Sequence, residues 1–114
     1  MVSGEHRFHG LSSFRFVRSK GRVVRGQYFA TRYALNSRRK TYRVSIVVSK
    51  KVSKSAVVRN RIRRRLYEVV RQQEASIVKP FDIAIMVYAE ELANMSAKDL
   101  LNQVEKQLKT AGII

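Results

Sequence analysis

Arg43-Val44-Ser45-Ile46-Val47-Val48-Ser49-Lys50-Lys51, followed by Ala56-Val57-Val58-Arg59-Asn60-Arg61-Ile62-Arg63-Arg64-Arg65-Leu66, is the stretch that decides the fold. Residues 42–49 alternate in polarity. Val44, Ile46 and Val48 point one way and Arg43, Ser45, Val47 and Ser49 the other, which reads as a β-strand with one core face and one face open to a ligand. The period then changes. Stepping about 100° per residue from Val58 gathers Ile62, Leu66, Val69 and Val70 into one apolar stripe, so a helix is expected from about Ser55 to Arg71. Asn60, Arg63, Arg64 and Arg71 fall opposite that stripe, and Arg59 and Arg61 flank it. Arg65 lies near its edge, where its stem can run along the core while the charge reaches out.

Working outward, residues 82–88 contain Ile83-Ala84-Ile85-Met86-Val87. This run is apolar on both faces and therefore central in a sheet. A helical crossover between it and residues 42–49 makes the two strands parallel neighbours. Residues 27–35 form another alternating strand, with Phe29, Thr31, Tyr33 and Leu35 on one side and Tyr28, Ala30, Arg32 and Ala34 on the other. A short helix over 11–20, with Phe14 and Val17 at a three-residue spacing, stops before Gly21. A final helix starts at Ser96, with Asp99 at its third position, and runs through Leu101, Val104 and Leu108 to Gly112. The order read from the residues is α-β-β-α-β-α, an α+β sandwich forming one domain over 1–114, with residues 1–10 loosely held.

Charge restricts the partner. The chain has 24 basic and 8 acidic residues, net +16, yet residues 6–67 hold 19 lysines and arginines and no aspartate or glutamate. Such self-repulsion is tolerated when a polyanion neutralises it, and nucleic acid has the phosphates to do so. With 45% hydrophobic residues the chain is globular despite its charge. No cysteine is present, which excludes disulfides and thiolate metal sites. His6 and His9 lack carboxylate partners and make a poor metal site. No segment reaches the roughly 20 apolar residues of a transmembrane helix, so a cytoplasmic location without a membrane partner is expected.

The binding chemistry concentrates on the central helix. Guanidinium forks match phosphate oxygens, and Asn60 adds a donor and an acceptor for a ribose hydroxyl or a base edge. Lys50, Lys51 and Lys54 add ammonium groups near the helix start. Like charges at i, i+3 and i+4 repel, so an arginine face of this kind costs stability unless a ligand uses it. Phe14, Phe16, Tyr28, Phe29 and Tyr33, interleaved with Arg15, Arg18 and Arg32, offer rings that could stack unpaired bases or pack in the core. No histidine–carboxylate pair, carboxylate cluster or glycine-rich phosphate loop emerges, so the residues point to RNA or DNA binding without catalysis by side chains.

Val-Ser-Lys-Lys at 48–51, then Ala56-Val57, then Arg59-Asn60-Arg61 with Arg63 and Arg64, resembles the protein subunit of bacterial ribonuclease P. Arg7, Phe14 seven residues before Gly21, and Asp82 opening a β-branched strand extend the resemblance over nearly the whole chain. The resemblance implies an α-β-β-β-α-β-α order, with an extra strand at 22–26 and a left-handed crossover, rare for parallel strands. It implies a ribonucleoprotein endoribonuclease that removes 5′ leaders from precursor transfer RNA, with hydrolysis performed by the RNA subunit. Magnesium would be bound mainly by that RNA and the substrate. The implied partners are the catalytic RNA and precursor transfer RNA, one protein per catalytic RNA, and no DNA.

The RNA-binding set expected is Lys51, Arg59, Asn60, Arg61, Arg63 and Arg64, which match the motif, with Lys50 and Lys54 added by the charge pattern. The expected leader cleft comprises Phe14, Phe16, Tyr33, Arg43, Ser49 and Tyr67. Tyr67 and Tyr88 stand where many members carry arginine, and Arg18 replaces a frequent cleft aromatic. A ribosomal or other structured-RNA-binding protein would share the charge pattern without requiring both motif blocks in order. A DNA-binding basic region would lack the apolar stripe and run into leucine heptads. A protein nuclease would need the carboxylate cluster that is missing.

Overall fold

The computed structural model describes Val17 and residues 21–114. Four strands, β1 (Arg22–Arg25), β2 (Phe29–Leu35), β3 (Arg43–Val48) and β4 (Phe81–Val87), form one sheet in the order β1-β2-β4-β3. The helix α1 (Ala56–Gln73) links β3 to β4, and α2 (Ala97–Ala111) follows β4. Single 3-10 turns at Glu74–Ser76 and Glu90–Ala93 complete the order. The strand at 22–25 that the resemblance implied is present and pairs antiparallel with β2. Of the expected first helix, only Val17 is described; it is helical and fully buried.

Strand β4 is internal, antiparallel to β2 and parallel to β3, as its two apolar faces required. The register fixes which side chains share a face. Tyr33 lies beside Ile83, which lies beside Val44; Thr31, Ile85 and Ile46 form the next row. These rows make the inner face, and with Phe29 they join Ile62, Leu66 and Val70 of α1 and Leu100, Val104 and Leu108 of α2 in one core cluster. Each fully buried aliphatic side chain contributes about 1.5–3 kcal/mol. On α2 it is Leu100 that is buried, while Leu101 is half-exposed.

Both helix starts are capped by serine: Ser55 Oγ accepts the Val58 N–H and Ser96 Oγ accepts the Asp99 N–H. The end of α2 depends on Gly112, whose φ of 78° is left-handed and lets the chain reverse so that Ile113 N–H reaches the Leu108 carbonyl at 2.9 Å. A buried amide ties α2 to the sheet. Gln107 Nε2 donates to the Phe29 carbonyl at 2.7 Å, and its Oε1 accepts from the Thr31 hydroxyl at 2.6 Å.

The outer face of the sheet carries the opposite rows: Ala34, Asp82 and Arg43; then Arg32, Ala84 and Ser45; then Ala30, Met86 and Val47. Small residues there are buried, while Arg32, Ser45, Val47 and Met86 are half-buried.

Candidate nucleic-acid interface

The turn after β3 sets up the cationic ridge. Val52 N–H bonds to the Ser49 carbonyl at 3.0 Å, so the chain folds back immediately after the strand and leaves Lys50 and Lys51 exposed at its tip. Ser53 is buried, and Arg59 Nη1 donates to its carbonyl at 2.8 Å. Arg59 therefore braces the loop that presents Lys50, Lys51 and Lys54.

Farther along α1, Arg61 and Arg64 are exposed and Arg63 is half-buried. Arg63 donates to Asn60 Oδ1, which leaves the Asn60 amide free to turn its N–H groups outward. Arg61 reaches, among the described residues, only Asn94 Oδ1, at 3.4 Å. Among the described residues, no carboxylate is ion-paired with Lys50, Lys51, Lys54, Arg59, Arg61, Arg63 or Arg64. Glu68 lies one helical turn from Arg64, yet it pairs with Arg71. The hydrogen bonds from Arg71 hold the Glu68 carboxyl down at about 2. Arg65 does run along the core edge: its guanidinium donates to the carbonyls of Leu92, at 2.8 Å, and Met95. The ridge is thus a set of uncompensated cations on a well-anchored helix, which is the electrostatic footprint of phosphate binding.

The six expected cleft residues do not share one surface. Phe14 and Phe16 lie outside the described residues. Ser49 is exposed at the end of β3, in line with Ser45 and Val47 on the outer face. Tyr33 is on the inner face, edge-to-face with Phe81 at a centroid distance of 6.2 Å, because its register row is that of Ile83 and Val44. Arg43 belongs to the outer face but is buried: Nε and Nη2 fork onto Asp82 at 2.9 and 2.8 Å, and Asn36 Nδ2 donates to the same carboxylate at 2.9 Å. A guanidinium committed to a fully buried carboxylate sets the floor of that face and is not offered to a ligand. Tyr67 is also buried, with its hydroxyl accepting the Ile46 N–H at 3.3 Å. It closes the free edge of β3, since α1 overhangs that edge, and so it lies away from the outer face.

The described side chains that the outer face leaves half-exposed are Arg32, Ser45, Val47 and Met86. The alternation of residues 27–35 had already separated Arg32 from Tyr33, but pairing between distant strands was needed to put it beside Ser45. Tyr88 follows β4 in the same alternation, is half-exposed, and donates its hydroxyl to the Gly26 carbonyl. No three histidine or carboxylate side chains among the described residues gather around a common point. No helix among the described residues is long and apolar enough to cross a membrane.

A mixed four-stranded sheet, with helices on one face and an unpaired cationic ridge at its parallel crossover, defines an RNA-binding protein of the α+β class. The ribonuclease P family model matches residues 2–112. The chain is 36% identical over 87 residues to the ribonuclease P protein component of Pseudanabaena sp. (strain PCC 6903), covering 76% of this chain and 75% of that protein. It is 33% identical over 105 residues to the counterpart from Azoarcus sp. (strain BH72), covering 92% and 84%. Its fold superposes on the Staphylococcus aureus RNase P protein with a TM-score of 0.82 at 27% identity, covering 95% of this chain and 96% of that one. The chain belongs to the ribonuclease P protein family. As a member it is a subunit of the ribonucleoprotein endoribonuclease and takes part in maturing transfer RNA 5′ ends.

Proposed function

We propose that the ridge of Lys50, Lys51, Lys54, Asn60, Arg61, Arg63 and Arg64 grips phosphates of the catalytic RNA, with Arg59 positioning the lysine loop. The observation that supports this is the exposure of Arg61 and Arg64 without a carboxylate partner among the described residues, next to Glu68, which pairs with Arg71. The single-stranded leader of precursor transfer RNA lies on the outer face of the sheet, along Arg32, Ser45, Val47, Met86 and Ser49, with Phe14 and Phe16 as the ring contacts implied by family resemblance. One protein serves one catalytic RNA, in the cytoplasm, and DNA is not a partner. Hydrolysis and its magnesium belong to the RNA. The protein's contribution is cationic: fixed arginines near the junction of the two RNAs lower their mutual repulsion, work that would otherwise fall to free Mg2+.

The test is cleavage of precursor transfer RNA by the cognate RNA subunit across a magnesium titration, with and without the protein. Adding protein shifts the curve to lower magnesium, and protein alone gives no product. Robust cleavage by RNA-free protein after nuclease treatment, or no shift of the magnesium curve, overturns the reading.

A further inference from the structure

A second cationic surface stands at the opposite end of the sheet from the Lys50–Lys51 turn. The loop from β2 to β3 carries Arg38, Arg39 and Lys40, all exposed, and Lys79 is exposed on the loop entering β4. The two loops are neighbours: Asn36 N–H donates to the Pro80 carbonyl at 3.0 Å, and Lys40 lines one hollow with Ile77 and Val78. Among the described residues, none of these four cations is ion-paired with a carboxylate. The carboxylates close by are engaged elsewhere. Glu74, in the same hollow, accepts the Tyr42 hydroxyl at 2.8 Å, and Asp82 is fully buried against Arg43 and Asn36.

Hydrogen bonds hold this loop in shape before any ligand arrives. Arg39 N–H closes a tight turn on the Asn36 carbonyl at 3.0 Å, and Arg38 N–H reaches Asn36 Oδ1 at 3.2 Å. Asn36 Nδ2 in turn donates to Asp82, whose row with Ala34 and Arg43 ends the outer face of the sheet. The arginines therefore stand where that face runs out. Cations fixed side by side repel one another and are relieved by a polyanion. Residues 36–41 hold no aromatic ring, and both ends of the Asn36 amide are engaged, so the surface reads phosphate charge and not bases. Resting on the assignment of the leader to the outer face, we propose that this loop binds the phosphates of the leader's upstream nucleotides. The ridge grips the catalytic RNA at one end of β3, so the cleavage site lies at that end. The leader crosses roughly 17–20 Å of sheet and meets the loop at the other. Contact begins only when the leader is long enough to span that distance, and it is independent of leader sequence.

The experiment measures binding of precursor transfer RNA to holoenzyme assembled from the full-length protein and the cognate RNA subunit. The leader is lengthened one nucleotide at a time to about 16, the upper site size of a small single-strand-binding fold. Wild-type affinity should rise in two stages, first over the sheet and then at the loop. The Arg38→Ala/Arg39→Ala variant should match wild type on short leaders and lose the second stage. That loss is roughly tenfold, with a log–log salt slope on the longest leader shallower by about 1 to 2, from about 0.7 per single-strand phosphate. Uncharged methylphosphonate linkages at the upstream positions should remove the same stage from wild type and change nothing further in the variant. Lys98→Ala/Lys106→Ala, which takes equal charge from exposed positions on α2, should keep both stages. An Arg38→Ala/Arg39→Ala variant that loses affinity equally at every leader length, or for the catalytic RNA alone, places the loop on that RNA and overturns the proposal. So does one that keeps the second stage. Arg32→Ala isolates the underlying reading: if it loses the first stage while Arg38→Ala/Arg39→Ala keeps the second, only the loop assignment fails. If neither variant changes either stage, the leader does not lie on the outer face and both assignments fail.

Discussion

Replacing Arg61, Arg63 and Arg64 together by alanine tests the ridge by its ionic-strength dependence. Among the described residues, six cations stand on it without a carboxylate partner once Arg59 is assigned to the loop: Lys50, Lys51, Lys54, Arg61, Arg63 and Arg64. If each neutralises one phosphate, the log–log slope of affinity against salt is about −4 to −5, from coefficients of about 0.7–0.9 per phosphate. Between about 50 and 200 mM salt the wild-type protein then loses roughly 500-fold in affinity for the catalytic RNA. The triple variant, with three cations left, has a slope of about −2 to −3 and loses roughly 30-fold over the same range. Folding is not the confounder. Arg61 and Arg64 are exposed, the hydrogen bonds of Arg61 and Arg63 lie at the surface, and removing like charges at i, i+3 relieves about 0.2–0.5 kcal/mol per pair, so the thermal midpoint should hold or rise slightly. The assay is a filter-binding or fluorescence titration at several salt concentrations, with a thermal melt alongside. A triple variant that keeps the wild-type slope would refute the assignment, however much its affinity at one salt concentration had changed.

Asp82→Ala removes the buried carboxylate that Arg43 grips with two hydrogen bonds and should cost about 3–5 kcal/mol in a urea unfolding titration; a loss under 1 kcal/mol would mean the pair is solvated. Gln107→Leu strands the buried Thr31 hydroxyl and leaves the Phe29 carbonyl with the Gly26 N–H but without its side-chain donor, and about 1–3 kcal/mol of stability should go with it. Arg32→Ala should weaken discrimination between precursor and mature transfer RNA without changing affinity for the catalytic RNA, whereas Tyr33→Leu, on the inner face, should leave that discrimination intact. The Glu68 carboxyl is depressed from 4.5 to about 2 by Arg71, so its stabilising contribution is complete above 4.5 and is lost as pH falls toward 2. The difference in unfolding midpoint between wild type and Glu68→Gln should therefore shrink through that window; a difference that grows on acidification would reverse the sign of the argument.

Periodicity alone set out β3, α1 and β4 and their parallel adjacency, because alternation and the helical stripe are local consequences of which side chains must leave water. The same stripe placed Arg65 at the core edge, where its guanidinium finds two carbonyls. Strand β1 was weak by pattern, being short and basic, and entered the reading through the family resemblance. The motif around Arg59-Asn60-Arg61 was legible because repelling cations on one helix face have no folding rationale of their own.

The placement of the cleft was not legible, and the reason is geometric. A strand's alternation says that two residues face opposite ways but not which way is in, so Tyr33 and Arg32 could be sorted only by their partners in β4, about fifty residues on. Arg43 looked available until Asp82, 39 residues away in sequence, was found closing on it from the neighbouring strand. Tyr67 entered the expected cleft by its position in the family pattern, which carries no information on the β3 edge that its hydroxyl meets beneath the helix. The sequence by itself determined the elements, the charge and the polyanionic partner, since these follow from contacts within a few residues. Which cations remained free and which face stayed open were decided by long-range pairing, because each depends on what another part of the chain had already neutralised or covered.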